Sequence, residues 1–391
     1  MKTIGLVTPT GVYNFGTKLQ AYAMQEIFRS RGYDTEIIQR GQRKGILFVM
    51  KNFAVKCISV FFPKFKFEWK YKKYIKTQYD YLPVSSLIPP LESRLYSLDS
   101  FNTHYKFRLF NGVQDLMKGS QKYIAVVCGS DQIWNPINKN IEFFLLQQIN
   151  QQVRCFSYAP SIGVNTIPET LSPLYKKAMK NMYAVSVRET SAAQLLQGLS
   201  DKKVSVVLDP TLLAGRKVWD EVLKLKAGLT NRSYCLCYLL GTTPEHREMC
   251  SKFAKNQNLE LYNFTHFKKY NDADEHLEGE HLYDVDPAEF VGLVSKAKFI
   301  VTDSFHCSCF AMMYHIPFAT LLRYQSSDNE STNSRIFSLL GQFGLEDRIC
   351  RNMEDVVKIL SSNIDYTAVD QILESKRMES NAFVDDALKG L

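Results

Sequence analysis

His306 stands where the sequence predicts that a buried strand meets a helix. The apolar run Phe299–Val301 is typical of a strand, and the polar residues Thr302–Ser304 after it are typical helix caps. In open α/β sheets, ligands bind at the carboxyl ends of strands, and helix N-termini favour anions. His306, in the first helical turn, is therefore predicted either as part of a ligand site or as a packed, hydrogen-bonded residue.

A second polar turn follows the predicted strand Tyr123–Val127. The segment Gly129–Pro136, GSDQIWNP, offers backbone N–H groups, a hydroxyl and the carboxylate of Asp131. Trp134 is the kind of apolar wall on which sugars stack. The alternative is a plain Asx-turn in which Trp134 fills the core.

Two arginines occupy comparable positions. Arg188 ends the predicted strand Tyr183–Val187, and Arg335 lies in the polar loop STNSR before the predicted helix Ile336–Phe343. Either guanidinium can hold a carboxylate or phosphate through paired hydrogen bonds. The alternatives are a surface ion pair for Arg188 and a helix cap for Arg335.

The elements that position these residues alternate between strand and helix. The chain begins with strand Thr3–Thr8, loop Pro9–Gly16, a helix from about Thr17 to Arg31 and strand Thr35–Ile38. The loop lacks a GxGxxG pattern, so a dinucleotide site is weakly supported. Further strands are predicted at Tyr123–Val127, Arg154–Tyr158, Tyr183–Val187 and Val204–Leu208, which gives six strands with crossovers.

The alternation restarts after Asp209, which is interpreted as part of a structural linker turn. Strands are predicted at Tyr234–Leu240, Leu259–Phe264, His281–Asp284, Phe299–Val301 and Phe318–Leu321. The sequence therefore predicts two Rossmann-like α/β domains, residues 1–212 and 213–391, that face each other across a cleft. C-terminal helices complete the second domain.

Composition and charge narrow the class of protein. The 391 residues are 45% hydrophobic and 23% charged, as in a globular protein, and the nine cysteines include no CxxC pair. No metal cluster and no nucleic-acid partner are expected. Met1-Lys2 leads directly into an apolar strand, so a cytoplasmic location is expected.

The excess positive charge is concentrated in one segment. Gly41–Lys76 contains ten Lys and Arg residues against the single Glu68, together with many aromatic residues. It is predicted to belong to a mostly helical, basic insertion at about residues 41–118 of the first domain. Residues 46–76 are expected either to contact the inner face of an anionic membrane or to form a solvated basic helix face.

Seven blocks of this sequence resemble, in order, the polysaccharide pyruvyl transferase family. They are NFGTKLQAYA (Asn14–Ala23), GSDQIWNP (Gly129–Pro136), SYAPSIG (Ser157–Gly163), VSVRE (Val185–Glu189), LDPTLL (Leu208–Leu213), TDSFHCSCFA (Thr302–Ala311) and NSRIFSLL (Asn333–Leu340). The resemblance extends from Thr3 to about Arg348. GSDQIWNP and TDSFH are its specific blocks.

This resemblance implies a fold similar to the two-domain GT-B glycosyltransferases. It also implies transfer of a pyruvyl group, as a ketal, from phosphoenolpyruvate to a sugar of a bacterial capsule, exopolysaccharide or lipid-linked precursor. Phosphoenolpyruvate is a co-substrate, and no cofactor is implied. The implied roles are catalysis for His306 and Asp131, donor binding for Arg188, Arg335 and Ser304, and acceptor binding for Asn14, Lys18, Gln132 and Trp134.

The sequence departs from the family pattern beside the motif histidine. Cys307 stands where family members often have glycine, and Ser304 stands where some branches carry arginine. This leaves open which residues hold the donor's anionic groups. Two other functions remain open: a GT-B glycosyltransferase that uses a nucleotide sugar, and a non-catalytic glycan- or lipid-binding protein.

Overall fold

The computed structural model describes residues 2–41, 71, 74–75, 85–323 and 333–391. Its strands are β1 (Thr3–Val7), β2 (Asp34–Gly41), β3 (Phe107–Asn111), β4 (Ala125–Cys128), β5 (Arg154–Ser157), β6 (Val185–Val187), β7 (Val204–Val206), β8 (Tyr234–Tyr238), β9 (Glu260–Asn263), β10 (Glu280–His281), β11 (Phe299–Thr302), β12 (Phe318–Leu321) and β13 (Ile349–Cys350). We call the part with β1–β7 the first half and the part with β8–β13 the second half.

Helices connect most of these strands. They are α1 (Phe15–Arg29), α2 (Ile88–Ser100), α3 (Val113–Gly119), α4 (Ile141–Phe144), α5 (Ser172–Asn181), α6 (Thr190–Gln197), α7 (Pro210–Val222), α8 (Pro244–Asn256), α9 (Asp272–Glu275), α10 (Pro287–Lys296), α11 (Phe305–Met313), α12 (Ser334–Gln342), α13 (Met353–Ser361) and α14 (Tyr366–Leu388).

Each half contains one large parallel sheet, and the first half also contains the two-stranded parallel pair β6-β7. The first has the order β3-β2-β1-β4-β5 and the second the order β10-β9-β8-β11-β12-β13. Central strands such as β4 and β12 are buried along their whole length, because helices cover both faces of a parallel sheet. The predicted class, two Rossmann-like α/β units facing a cleft, is confirmed.

Two details of the predicted first sheet are wrong. The segment Phe107–Asn111, predicted as helix within the insertion, is the edge strand β3, which pairs with Ile37–Gly41 of β2. The strands β6 and β7 pair with each other and adjoin β5 through a bridge between Phe156 and Ala184 and through hydrogen bonds such as Tyr183 N to Cys155 O (2.6 Å). Pairing with a distant strand overrides local helical preference at β3.

The two halves are joined at several places. The helix α7 leads from one to the other and bends at Gly215, whose φ is 79°. The C-terminal helix α14 returns to the first half: Leu208 N donates to Ser380 Oγ (2.9 Å), and Arg31 Nε lies 2.7 Å from Asp385 Oδ1. The predicted domain boundary after residue 212 falls within α7 and stays a prediction.

The basic insertion lies mostly outside the described residues. Of the segment 46–76, only Tyr71, Tyr74 and Ile75 are described, so its membrane contact stays a prediction. Among the described helices, none combines the length and apolar character needed to cross a bilayer. The same residues contain no group of three or more acidic, His or Cys side chains arranged to hold a metal ion.

Candidate active site

A cavity of about 490 Å³ lies between the two halves. Its walls are built from segments that follow the carboxyl ends of strands, namely β1 and β4 in the first half and β8, β9, β11 and β12 in the second. Parallel sheets place ligands at this edge. Six of the nine residues named from the sequence line the cavity: Asn14, Asp131, Gln132, Ser304, His306 and Arg335.

The N-terminus of helix α1 packs against the second half. The side chain of Asn14 caps the helix by accepting from Thr17 N (3.3 Å), and its Nδ2 donates to Tyr238 Oη of β8 (3.2 Å). The adjacent Phe15 ring stacks on Phe290, with centroids 4.5 Å apart. These contacts fix the first-half wall of the cavity relative to the second.

His306 lies in the first turn of α11 and is 6% exposed. Ser304 caps this helix, with its Oγ accepting from Cys307 N at 3.4 Å. The imidazole Nε2 is buried, lies 3.7 Å from Asp209 Oδ2 and makes no hydrogen bond with a described residue. Gly16 of α1 faces the other nitrogen, since a Cβ added there would lie 2.1 Å from His306 Nδ1. The imidazole is thus held between a carboxylate and a glycine backbone.

Asp209 is a site residue that the sequence analysis assigned to a structural turn. It does cap α7, with Oδ1 accepting from Thr211 N at 2.9 Å. Its other oxygen, Oδ2, accepts from Arg188 Nη1 (2.8 Å) and Ser130 Oγ (3.1 Å) and faces His306. Burial alone would raise the pKa of Asp209, but His306 and Arg188 outweigh burial and hold that pKa well below its usual range. The LDPTLL block, which contains Asp209, was the sequence signal that could have identified this residue.

Asp131 provides a carboxylate on the first-half wall. Its Oδ2 accepts from Thr17 Oγ1 (2.7 Å), and its Oδ1 accepts from the backbone of Gln132 (2.8 Å). Burial would raise the pKa of Asp131, yet interactions with His306 and Arg188 lower it overall. The carboxylate is therefore ionised at neutral pH.

Arg188 does not line the cavity but lies directly behind it. The guanidinium is buried, with Nε 2.9 Å from Glu189 Oε1, Nη1 on Asp209 and its centre 4.1 Å from the centroid of the Phe305 ring. Burial lowers the pKa of Arg188, but Glu189, Asp209 and Asp131 raise it further, so the charge is permanent. The alternative of a surface ion pair is wrong, because the pair is internal. Its Nη2 has no hydrogen-bond partner among the described residues.

Three cationic side chains line the second-half wall. They are Arg335 of α12, Arg323 after β12 and Lys268 after β9. Arg323 Nη2 donates to Asp303 O (3.0 Å) and Oδ1 (3.2 Å). Sequence reasoning found only Arg335. Arg323 could have been predicted, because it follows the predicted strand Phe318–Leu321 after one further apolar residue. No comparable motif marks Lys268.

The structure places Lys18 and Trp134 outside the cavity lining. Lys18 donates from Nζ to Asn102 Oδ1 (2.7 Å) and lies 3.6 Å from Asp99 Oδ1. Trp134 is fully buried in the first-half core, and its Nε1 donates to Phe144 O (3.0 Å). Both side chains stabilise the fold, and neither position fits an acceptor contact.

Comparison with solved structures finds chains that match this one over nearly its whole length. The UDP-GlcNAc 2-epimerase from Neisseria meningitidis, bound to UDP-GlcNAc, is 12% identical, and the match covers 99% of both chains with a TM-score of 0.51. The corresponding enzyme from Rickettsia bellii is 10% identical over 98% of both chains, with a TM-score of 0.49. The glycosyltransferase SnogD from Streptomyces nogalater is 13% identical, over 99% of this chain and 98% of its own, with a TM-score of 0.44.

At these identities the likeness concerns the fold alone, and the Neisseria enzyme supports the expected GT-B-like arrangement. Comparison with curated proteins finds no match. A family model decides the family: the model of polysaccharide pyruvyl transferase matches residues 14–326, which is most of the chain. The match includes every segment that lines the cavity except Pro9–Val12 and the segment of Arg335. The chain belongs to the polysaccharide pyruvyl transferase family.

Proposed function

We propose that this protein transfers a pyruvyl group from phosphoenolpyruvate to two hydroxyls of one sugar, in a cell-surface polysaccharide or its lipid-linked precursor. The observation that carries the proposal is the meeting of His306, Asp131 and Arg335 in one cavity between the two halves. An acid, a base and fixed positive charge are the groups that ketal formation from an anionic enol ether requires.

The reaction balances without a redox partner. The enol CH2 carbon of phosphoenolpyruvate takes up one proton and becomes a methyl group, which leaves an oxocarbenium-like centre at the neighbouring carbon. Two sugar hydroxyls bond to that carbon and lose one proton each. The C–O bond to phosphate breaks, and one of the two released protons leaves with the phosphate while the other replaces the proton given to the methyl group.

His306 is the proposed acid for the enol carbon. The carboxylate of Asp209 lies 3.7 Å from Nε2, on one side of the ring. Gly16 presses against the Nδ1 side of the ring and limits its rotation. The protein therefore holds the imidazole in a fixed orientation at the N-terminus of α11.

Asp131 is the proposed base for an attacking hydroxyl. It is ionised because its pKa is lowered by His306 and Arg188 against the effect of burial. The hydrogen bond from Thr17 Oγ1 orients the carboxylate, at 2.7 Å. Asp131 and His306 come from different halves, so the cavity brings acid and base together only in the folded molecule.

Donor and acceptor are assigned to different walls. Arg335 and Ser304, both on the second half, are proposed to contact the donor, and Arg188 adds its permanent charge from behind Phe305. On the first half, Gln132 is the proposed acceptor contact, because its buried Nε2 has no hydrogen-bond partner among the described residues. Asn14 is already hydrogen-bonded to Tyr238 and Thr17, and it lines the same wall as Gln132.

Mass spectrometry of the reaction products tests this function. The protein is incubated with phosphoenolpyruvate and a panel of lipid-linked or nucleotide-linked sugars, with omission of phosphoenolpyruvate as the control. The expected product has the mass of the acceptor plus pyruvate minus water, and phosphate is released in equal amount. A product formed from a nucleotide-sugar donor without phosphoenolpyruvate would instead establish glycosyl transfer.

A further inference from the structure

The second-half wall of the cavity carries more positive charge than the sequence motifs indicated. Lys268, Arg323 and Arg335 come from three separate segments, after β9, after β12 and at the start of α12, yet all three line one cavity. The same cavity is lined by Ser304, the residue that stands where some branches of the family carry arginine. The positive charge that the α11 motif lacks at Ser304 is thus supplied by other residues of the same cavity.

Arg323 is held in place by a buried carboxylate. Asp303 receives hydrogen bonds from Leu240 N (2.8 Å) and Gly241 N (2.6 Å) in addition to those from Arg323. Burial would raise the pKa of Asp303, but Arg323 and these two N–H groups lower it. A Cβ at Gly241 would lie 2.9 Å from Arg323 Cγ, so glycine is required for this approach. The guanidinium is therefore pre-positioned beside Ser304.

The three cations repel one another. Burial first, and then Arg323 and Arg335, lower the pKa of Lys268 to about 8, against the opposing effects of Asp303 and Asp131. Burial, Arg188 and Arg323 lower the pKa of Arg335 to about 10. Lys268 keeps exposed surface although neighbouring residues crowd it, so water weakens both the effect of burial and the repulsion on it. An anion bound among these groups would relieve the repulsion.

We infer that Lys268, Arg323 and Arg335 form a subsite for the phosphate group of the donor. The inference rests on the proposed function and specifies that the second-half wall binds the phosphate end of phosphoenolpyruvate. A phosphate monoester carries close to two negative charges at neutral pH and offers three strong acceptor oxygens, which matches three converging cations better than a singly charged carboxylate does. Arginine provides paired hydrogen bonds and lysine a compact point charge.

Selective inhibition tests the subsite. Inorganic phosphate and pyruvate each represent one end of the donor, and each is used as a competitive inhibitor of transfer from phosphoenolpyruvate. Phosphate binding is also measured directly by calorimetry. The variants are Lys268→Met and Arg323→Gln, and the matched control is Lys269→Met, which removes a neighbouring exposed charge that does not line the cavity.

Both subsite variants are expected to bind inorganic phosphate about tenfold or more weakly, as for loss of a charge-assisted hydrogen bond. Inhibition by pyruvate should stay unchanged in both, and Lys269→Met should behave as wild type. Arg323→Gln leaves Asp303 without its cationic partner, so Arg323→Lys serves as the folding control and is expected to retain more phosphate affinity than Arg323→Gln.

These experiments distinguish failure of the phosphate subsite from failure of the proposed function. Unchanged phosphate binding in Lys268→Met and in a folded Arg323 variant, with normal transfer from phosphoenolpyruvate by the wild type, would overturn the subsite and leave the function intact. Weakened pyruvate inhibition with unchanged phosphate inhibition would also overturn it. Weakened calorimetric phosphate binding in both variants, combined with no transfer by the wild type, would support the subsite and refute the proposed function.

Discussion

At the level of single residues, buried charge dominates the surroundings of His306. Asp209 has no exposed side-chain surface and is paired with Arg188, which is equally buried. Because the pKa of Asp209 in the folded protein lies well below its usual range, its carboxylate contributes stability above pH of about 4, and that contribution is lost as the pH falls. The same charges that orient His306 therefore make the fold sensitive to acid.

Replacement of Arg188 by methionine should destabilise the whole protein. The change leaves the carboxylates of Asp209 and Glu189 buried without their shared cation, and removing one partner of such a group costs about 3–5 kcal/mol. The measurement is the free energy of unfolding from denaturant titration. Arg232→Met is the matched control, since its pair with Glu260 is exposed and its loss should lower the free energy of unfolding far less. Equal losses in the two variants would show that the Arg188 pair is not a buried one.

Individual site residues could be predicted where they follow strands or begin helices. His306, Asp131 and Arg335 were found in this way, because caps and strand ends leave local signals. Trp134 and Lys18 belong to the same matched blocks but face the core and α2 respectively, and a short motif does not say which side of a turn or helix faces the cavity. Asp209 was missed because its helix-capping role explained it sufficiently.

At the level of elements, the catalytic geometry depends on the close meeting of α1 and α11. Each helix begins at a side-chain cap, Asn14 for α1 and Ser304 for α11. The two first turns touch at Gly16 and His306, where a methyl group would collide with the imidazole. This contact joins the two halves and could not be predicted from sequence, because it depends on how two distant β-α units pack.

Replacement of Gly16 by alanine should therefore reduce turnover. The new methyl group would lie 2.1 Å from His306 Nδ1, so the imidazole must move away from its position beside Asp209. We expect kcat for pyruvyl transfer to fall by about tenfold or more, which corresponds to roughly 1.4 kcal/mol of barrier. Steady-state kinetics measures this effect.

The matched control for Gly16→Ala is Gly198→Ala. At that glycine an added Cβ would approach no atom closer than Leu195 O, at 3.7 Å, so normal turnover is expected. Circular dichroism checks that both variants are folded. Wild-type kcat in a folded Gly16→Ala protein would show that the His306 ring does not need this packing.

At the level of the whole molecule, the site exists only because the two sheets face each other. The aromatic contacts of Phe15 and the return of α14 to the first half hold this arrangement. The alternation of strands and helices predicted both sheets, since βα periodicity is local. The edge position of β3 and the separate pair β6-β7 were not predictable, because strand order depends on pairing between distant segments.

The most direct test of the account is the turnover of His306→Ala with phosphoenolpyruvate and an accepted sugar. His276→Ala serves as the control, because that side chain is 80% exposed and lies outside the cavity lining. Loss of a positioned general acid should lower kcat by about 10²–10⁴-fold. Circular dichroism should show that the His306→Ala fold is intact. A His306→Ala protein that retains more than about a tenth of wild-type kcat, a barrier change under roughly 1.4 kcal/mol, would contradict the assignment of His306 as the catalytic acid.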